Sequence, residues 1–168
     1  LAKAIKEAVG KNKLIFAAAS NTGQYGSRAW PATATGVFAI HATNDHGTVD
    51  TDLNPQPSEI LDNFATFGCN VVSFWDGQYR SISGTSFATP IAAAIAANIV
   101  EFIRRKLPDI ADQFTKYSTM KRLFKERMTP DGPAGSYHIL KPWVQELWSE
   151  ENDIENVCRE LHEFDTFG

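Results

Sequence analysis

A serine placed on a glycine turn at the mouth of a helix suits nucleophilic chemistry, and this chain carries one. Residues 83–90 read Ser83-Gly84-Thr85-Ser86-Phe87-Ala88-Thr89-Pro90 and run into Ile91-Ala92-Ala93-Ala94-Ile95-Ala96-Ala97-Asn98-Ile99-Val100. That second stretch is Ala-rich and apolar, and it predicts a buried helix. The first N–H groups of a helix lack intrahelical acceptors, and its dipole places partial positive charge there. A hydroxyl at that point can attack an acyl carbon while N–H groups hold the developing oxyanion. Gly84 permits an unusual backbone angle, and Ala88, Ala92 and Ala93 let neighbouring elements approach closely. Pro90 is expected within the first turn, where its missing N–H removes no intrahelical bond. Taken alone, Ser86 reads as an ordinary helix cap.

Two elements must position that serine. Leu1-Ala2-Lys3-Ala4-Ile5-Lys6-Glu7-Ala8-Val9 has apolar residues at 1, 4, 5, 8 and 9, the spacing of a helix, and Gly10 supplies a stop. Lys13-Leu14-Ile15-Phe16-Ala17-Ala18-Ala19-Ser20 is continuously apolar after its lysine, as in a strand buried on both faces of a parallel sheet. Helix followed by strand is half of a βαβ unit, so the fold class is α/β. Ligands of such sheets bind beyond the carboxyl ends of strands, where Asn21 stands. Its amide is a fixed donor that can complete an oxyanion hole with the Ser86 N–H. By itself Asn21-Thr22-Gly23 is better read as an Asx-turn. Val37-Phe38-Ala39-Ile40-His41-Ala42 predicts a second buried strand.

The octet resembles the serine motif of the subtilisin-like peptidases, Gly-Thr-Ser-x-Ala-x-Pro, at all five fixed positions: Gly84, Thr85, Ser86, Ala88 and Pro90. Ala17-Ala18-Ala19-Ser20-Asn21, Trp30-Pro31-Ala32 and the strand over 37–42 are similar to that family's strand-asparagine, aromatic-Pro-Ala and second-strand segments. Ile60 to Gly68 and Cys69 to Phe74 resemble its next strand-turn and short strand. The resemblance covers about residues 1–106 and implies the C-terminal part of a subtilase catalytic domain. It implies peptide-bond hydrolysis with Ser86 as nucleophile, and an oxyanion hole of Asn21 and the Ser86 N–H. It further implies a substrate pocket walled by Ala17, Ala18, Ala19 and Ser20, bordered by Gly84 and Thr85.

The chain departs from the family in several places. Ser20 and His41 stand where glycine is usual, and Ile91-Ala92-Ala93-Ala94 replaces His-Val-Ala-Gly. The family's catalytic Asp and His precede its asparagine, yet no Asp or His precedes Asn21. His46-Gly47-Thr48 copies the histidine motif in letters, but it follows the wrong strand and reads as a loop. Asp45, Asp50, Asp52 and Glu59 read as loop charges rather than calcium ligands. The chain is therefore expected to lack its base and to be nearly inactive alone. A pseudopeptidase or interaction module that has lost Asp and His is the non-enzyme alternative, and a truncated gene product is another. A sedolisin-type peptidase would place an aspartate where Asn21 stands.

The remaining readings are coarser. A formal charge of −4 and a pI near 5.5 give no basic footprint for nucleic acid. No run of 18 apolar residues free of charge predicts a membrane span. Cys69 and Cys158 define no disulfide framework or zinc spacing, so neither metal nor cofactor is expected. No asparagine begins an Asn-x-Ser/Thr sequon, a slight lean toward an intracellular protein. Leu1, already in a helical pattern, predicts a chain continuing a longer one. The expected partners are a polypeptide substrate and the missing N-terminal part of the same domain. The expected division is 1–108 for the catalytic part and 109–168 for a helical C-terminal extension. In the extension, helices are predicted from Tyr117 to Met128 and from Ile154 to Phe164, with a short strand over Tyr137 to Leu140.

Overall fold

The computed structural model describes residues 1–129 and 136–142, together with Asn156 and Arg159, which are helical and exposed. Apart from those two, the helix expected over Ile154 to Phe164 lies outside the described residues. The described chain runs α1 (Ala2–Gly10), β1 (Ile15–Ala18), β2 (Val37–Thr43), β3 (Phe64–Phe67), β4 (Val71–Trp75), β5 (Gln78–Ile82), α2 (Thr85–Lys106), a 3-10 segment (Pro108–Thr115), α3 (Tyr117–Glu126) and β6 (His138–Ile139). Four strands form one parallel sheet in the order β1-β2-β3-β6. β4 and β5 form a separate antiparallel hairpin. The architecture is thus the expected mostly parallel α/β sheet flanked by helices.

β2 has neighbours on both sides and is buried at every residue. Its two faces differ in bulk. Phe38, Ile40 and Ala42 point to the side covered by α2, where Ala88, Ala92, Ile95, Ala96, Ile99 and Ile103 recur at three- and four-residue spacing. Around Phe38 the rings of Phe16, Phe64, Tyr117 and Phe124 gather, with centroids 4.9, 5.5, 4.5 and 5.5 Å away. On the opposite side Ala17, Ala32, Val37 and Ala39 make a smaller cluster.

The segment after Pro108 shares the larger core. Ile110, Phe114, Met120, Leu123, Phe124, Met128 and Leu140 all belong to the cluster around Phe38. The division expected at residue 108 therefore runs through one continuous core, and β6 of the tail pairs with β3. At 22 residues, α2 is long and apolar enough by length and composition to cross a membrane, although eight of its residues are buried in this fold.

The hairpin turns at Asp76 and Gly77, whose φ values of +50° and +74° suit the tight two-residue turn predicted by Asp-Gly. Pro90 differs from expectation. The helix begins at Thr85, so Pro90 is its sixth residue and lies in the second turn. There its missing N–H leaves the Ser86 carbonyl without its usual partner four residues on.

Candidate active site

Gly84 caps α2 from an extended backbone, and the Phe87 and Ala88 N–H groups donate back to its carbonyl. Thr85 is buried and Ser86 exposed, so the helix mouth presents the Ser86 side chain to solvent. The turn is fixed from below: the Gly84 N–H donates to the Gly68 carbonyl at 2.9 Å, and the Gly68 N–H donates to the Thr43 carbonyl at 2.9 Å. A Cβ at Gly68 would lie 2.8 Å from the Ala88 Cβ, 2.9 Å from that of Ala42 and 3.0 Å from the Gly84 carbonyl oxygen. Only glycine lets β2, the turn after β3 and the serine turn meet there.

Asn21 comes to the same place from the carboxyl end of β1. Its Oδ1 accepts from the Thr85 N–H at 2.8 Å and from the Thr85 hydroxyl at 3.0 Å. With the carbonyl side of the amide occupied twice, Nδ2 is the free end, and it sits 3.3 Å from where a Gly84 Cβ would be. Neither Nδ2 nor the Ser86 hydroxyl has a hydrogen-bond partner among the described residues. Thr85, expected to border the pocket, clamps the asparagine. Its hydroxyl also lies 3.2 Å from the Ser20 carbonyl.

Ser20 adopts φ +144°, a region that favours glycine, at the position where the resemblance expected glycine. The loop beyond it is tied down by backbone bonds from Gly23 to the Leu53 carbonyl and from Gln24 to the Thr51 carbonyl. Ala17 and Ala19 are buried, whereas Ala18 and Ser20 are half-buried.

The histidines stand apart from this geometry. His46 is exposed on the turn after β2, 3.7 Å from Asp45. His41 is fully buried on β2, its ring edge-on to Tyr137 at 5.0 Å, and neither ring nitrogen has a partner among the described residues. Burial and, second, the positive charge of Arg28 push its pKa down to about 3. It is a neutral interior group. No histidine or carboxylate hydrogen-bonds Ser86 among the described residues, and those residues hold no group of three metal-binding side chains.

Sequence reasoning missed two supporting residues. Asn54 is buried and hydrogen-bonds both the N–H and the carbonyl of Ala42, which ties the loop over 50–57 to the end of β2. Asn63 accepts from Arg28 and from the Ser58 N–H, and donates to the Ser136 carbonyl. Both are single asparagines in loops, and nothing in their spacing marks them.

The serine turn and Asn21 thus meet beyond the carboxyl edge of a parallel sheet. The model of the subtilase family matches residues 1–126, and the chain belongs to that family, one of serine endopeptidases. It is 34% identical over 108 residues to the subtilisin-like protease het-Q2 of Podospora anserina, covering 61% of this chain and 30% of that protein. It is 32% identical over 117 residues to a subtilisin of Bacillus sp. (strain TA39), covering 59% of this chain and 27% of that one. Among solved structures, the prenylagaramide maturation protease PagA superimposes with a TM-score of 0.63 at 26% identity, over 76% of this chain and 44% of its own. The chain thus spans about 30% or less of the length of these two curated relatives.

Proposed function

We propose that the chain supplies the nucleophile and oxyanion half of a serine endopeptidase that hydrolyses polypeptides. The observation that carries this reading is the double hydrogen bond from Thr85 to Asn21 Oδ1, which leaves Nδ2 free beside the serine turn. The Ser86 hydroxyl attacks the peptide carbonyl, and the Asn21 amide and Ser86 N–H take the oxyanion. The hydroxyl proton passes to a base that the described residues do not provide, and the amine leaves after that base returns the proton. Ala18 and Ser20 border the pocket for the residue before the scissile bond.

The base and its orienting carboxylate belong to the part of the domain that this chain lacks. Among the described residues β1 is an edge strand with one side unpaired, and Leu14 and Phe16 border a groove against α2 beside it. That edge is where the rest of the sheet would join. The catalytic domain in this reading extends past residue 108 to at least Leu140, because the core does.

The test is covalent labelling by a fluorophosphonate probe in the complete protein. Ser86→Ala should abolish labelling. Asn21→Ala should slow it by about 10²–10³, the loss measured when subtilisin's own oxyanion asparagine is removed. The chain alone should label at a rate close to that of free serine. A folded complete protein that never labels favours the interaction module, which the absence of a base near Ser86 among the described residues also suits.

A further inference from the structure

Asn21 and Ser86 occupy the β1 end of the sheet's carboxyl edge. The other end of that edge, beyond β2, β3 and β6, holds a cavity of about 530 Å³ that includes neither of them. Its inner wall is formed by Ile91 and Ile95 of α2 and by Ile139 and Leu140 from β6 and its continuation. Ile95, Ile139 and Leu140 are buried within the fold. Carboxyl edges of parallel sheets are where α/β proteins bind ligands, and pockets of this volume hold small molecules.

Two residues of the wall, Thr43 and Thr66, are polar and deep. Thr66 on β3 lines the cavity, is 1% exposed, and its hydroxyl has no hydrogen-bond partner among the described residues. A hydroxyl both donates and accepts, and one left bare in an apolar interior is costly. One step of χ1 rotation exchanges the methyl and hydroxyl of a threonine, so the group can be turned to a guest. No ionisable side chain lies among these inner residues. Asp45, His46 and Lys141, of mixed sign, also border the cavity. A charged group placed deep would lose its hydration with nothing to replace it.

The geometry points to a second binding site, separate from the serine, for a small uncharged molecule with an apolar body and one hydroxyl. The body packs on the isoleucines and the hydroxyl pairs with Thr66. Aliphatic or aromatic alcohols and phenols fit this chemistry. The inference does not depend on peptidase activity, because none of the residues it uses acts at Ser86.

The experiment titrates the full chain with p-cresol and with toluene, two molecules of similar shape that differ by the hydroxyl, and follows the isoleucine methyl groups by NMR. Saturable binding of p-cresol is expected, with shifts concentrated at Ile91, Ile95 and Ile139, and toluene bound about 3- to 10-fold more weakly. Thr66→Val should erase that preference while toluene still binds, and Thr66→Ser should keep it. Ile95→Trp should fill the space and block both. If Thr66→Val does not fold, competition between the two probes on the unchanged chain reads the same preference. Absence of saturable binding, equal affinity for the two probes, or shifts centred elsewhere overturns the proposal.

Discussion

The two faces of β2 belong to one strand yet are held in opposite ways. On the α2 side, Phe38, Ile40 and Ala42 meet helices, aromatic rings and the Gly68 turn, and the core is dense. On the other side, Val37 and Ala39 belong to a smaller cluster against which Ile5 and Ile15 pack, and His41 is buried with neither ring nitrogen paired among the described residues. Arg28 reaches this side with its Nε likewise unpaired, and its guanidinium hydrogen-bonds Asn63 and the Asp62 carbonyl. One face rests on dispersion and the hydrophobic effect; the other rests on polar groups that stay buried at a cost. The serine turn is built against the first.

The largest effect should come from breaking the dense face. Phe38→Ala removes the hub of the aromatic cluster and should cost about 3–5 kcal/mol in urea denaturation of the full chain. The polar face should show itself in pH dependence. The native state takes up the His41 proton only near pH 3, whereas an unfolded histidine does so near 6.5. Between those values the unfolded chain binds more protons, so stability falls as pH falls, by several kcal/mol across the window. His41→Ala should flatten that slope. An unchanged slope in the variant would show that His41 is not the group responsible. Smaller again is Gly68→Ala, which joins the dense face to the serine turn and should cost about 1–3 kcal/mol. Its distinguishing readout is a drop in Ser86 labelling of the complete protein under conditions where the variant remains folded.

Much of the dense face was legible from sequence. The apolar runs at 14–19 and 37–42 and the helix after Ser86 are long and bounded by polar residues, so their period and burial could be read directly. Asp76-Gly77 announced its turn through the φ values that only a few residues accept. The Asn21–Ser86 pairing rested on a motif, and the structure brings the two together through Thr85.

The polar face was not legible. His41 sits in an apolar run, and no pattern in it says that its ring would end without partners. The core's extension past Pro108 was also missed. Its anchors, Phe114, Met120 and Leu140, come from a 3-10 segment, a short helix and a residue just beyond a two-residue strand, each too brief for periodicity to show what it packs against. Pro90 was misplaced by one turn because a helix can begin at the residue before the nucleophile as readily as after it.

The hairpin of β4 and β5 has a further consequence. Val72, Phe74 and Tyr79 lie on one of its faces by register, and each is more than 60% exposed. Both outer edges of this two-stranded ribbon are free of ladder partners within the described residues. Such a ribbon is adhesive. The root of this exposed aromatic ribbon leads directly into the serine turn, so a surface of the adhesive kind and the candidate nucleophile share one stretch of chain.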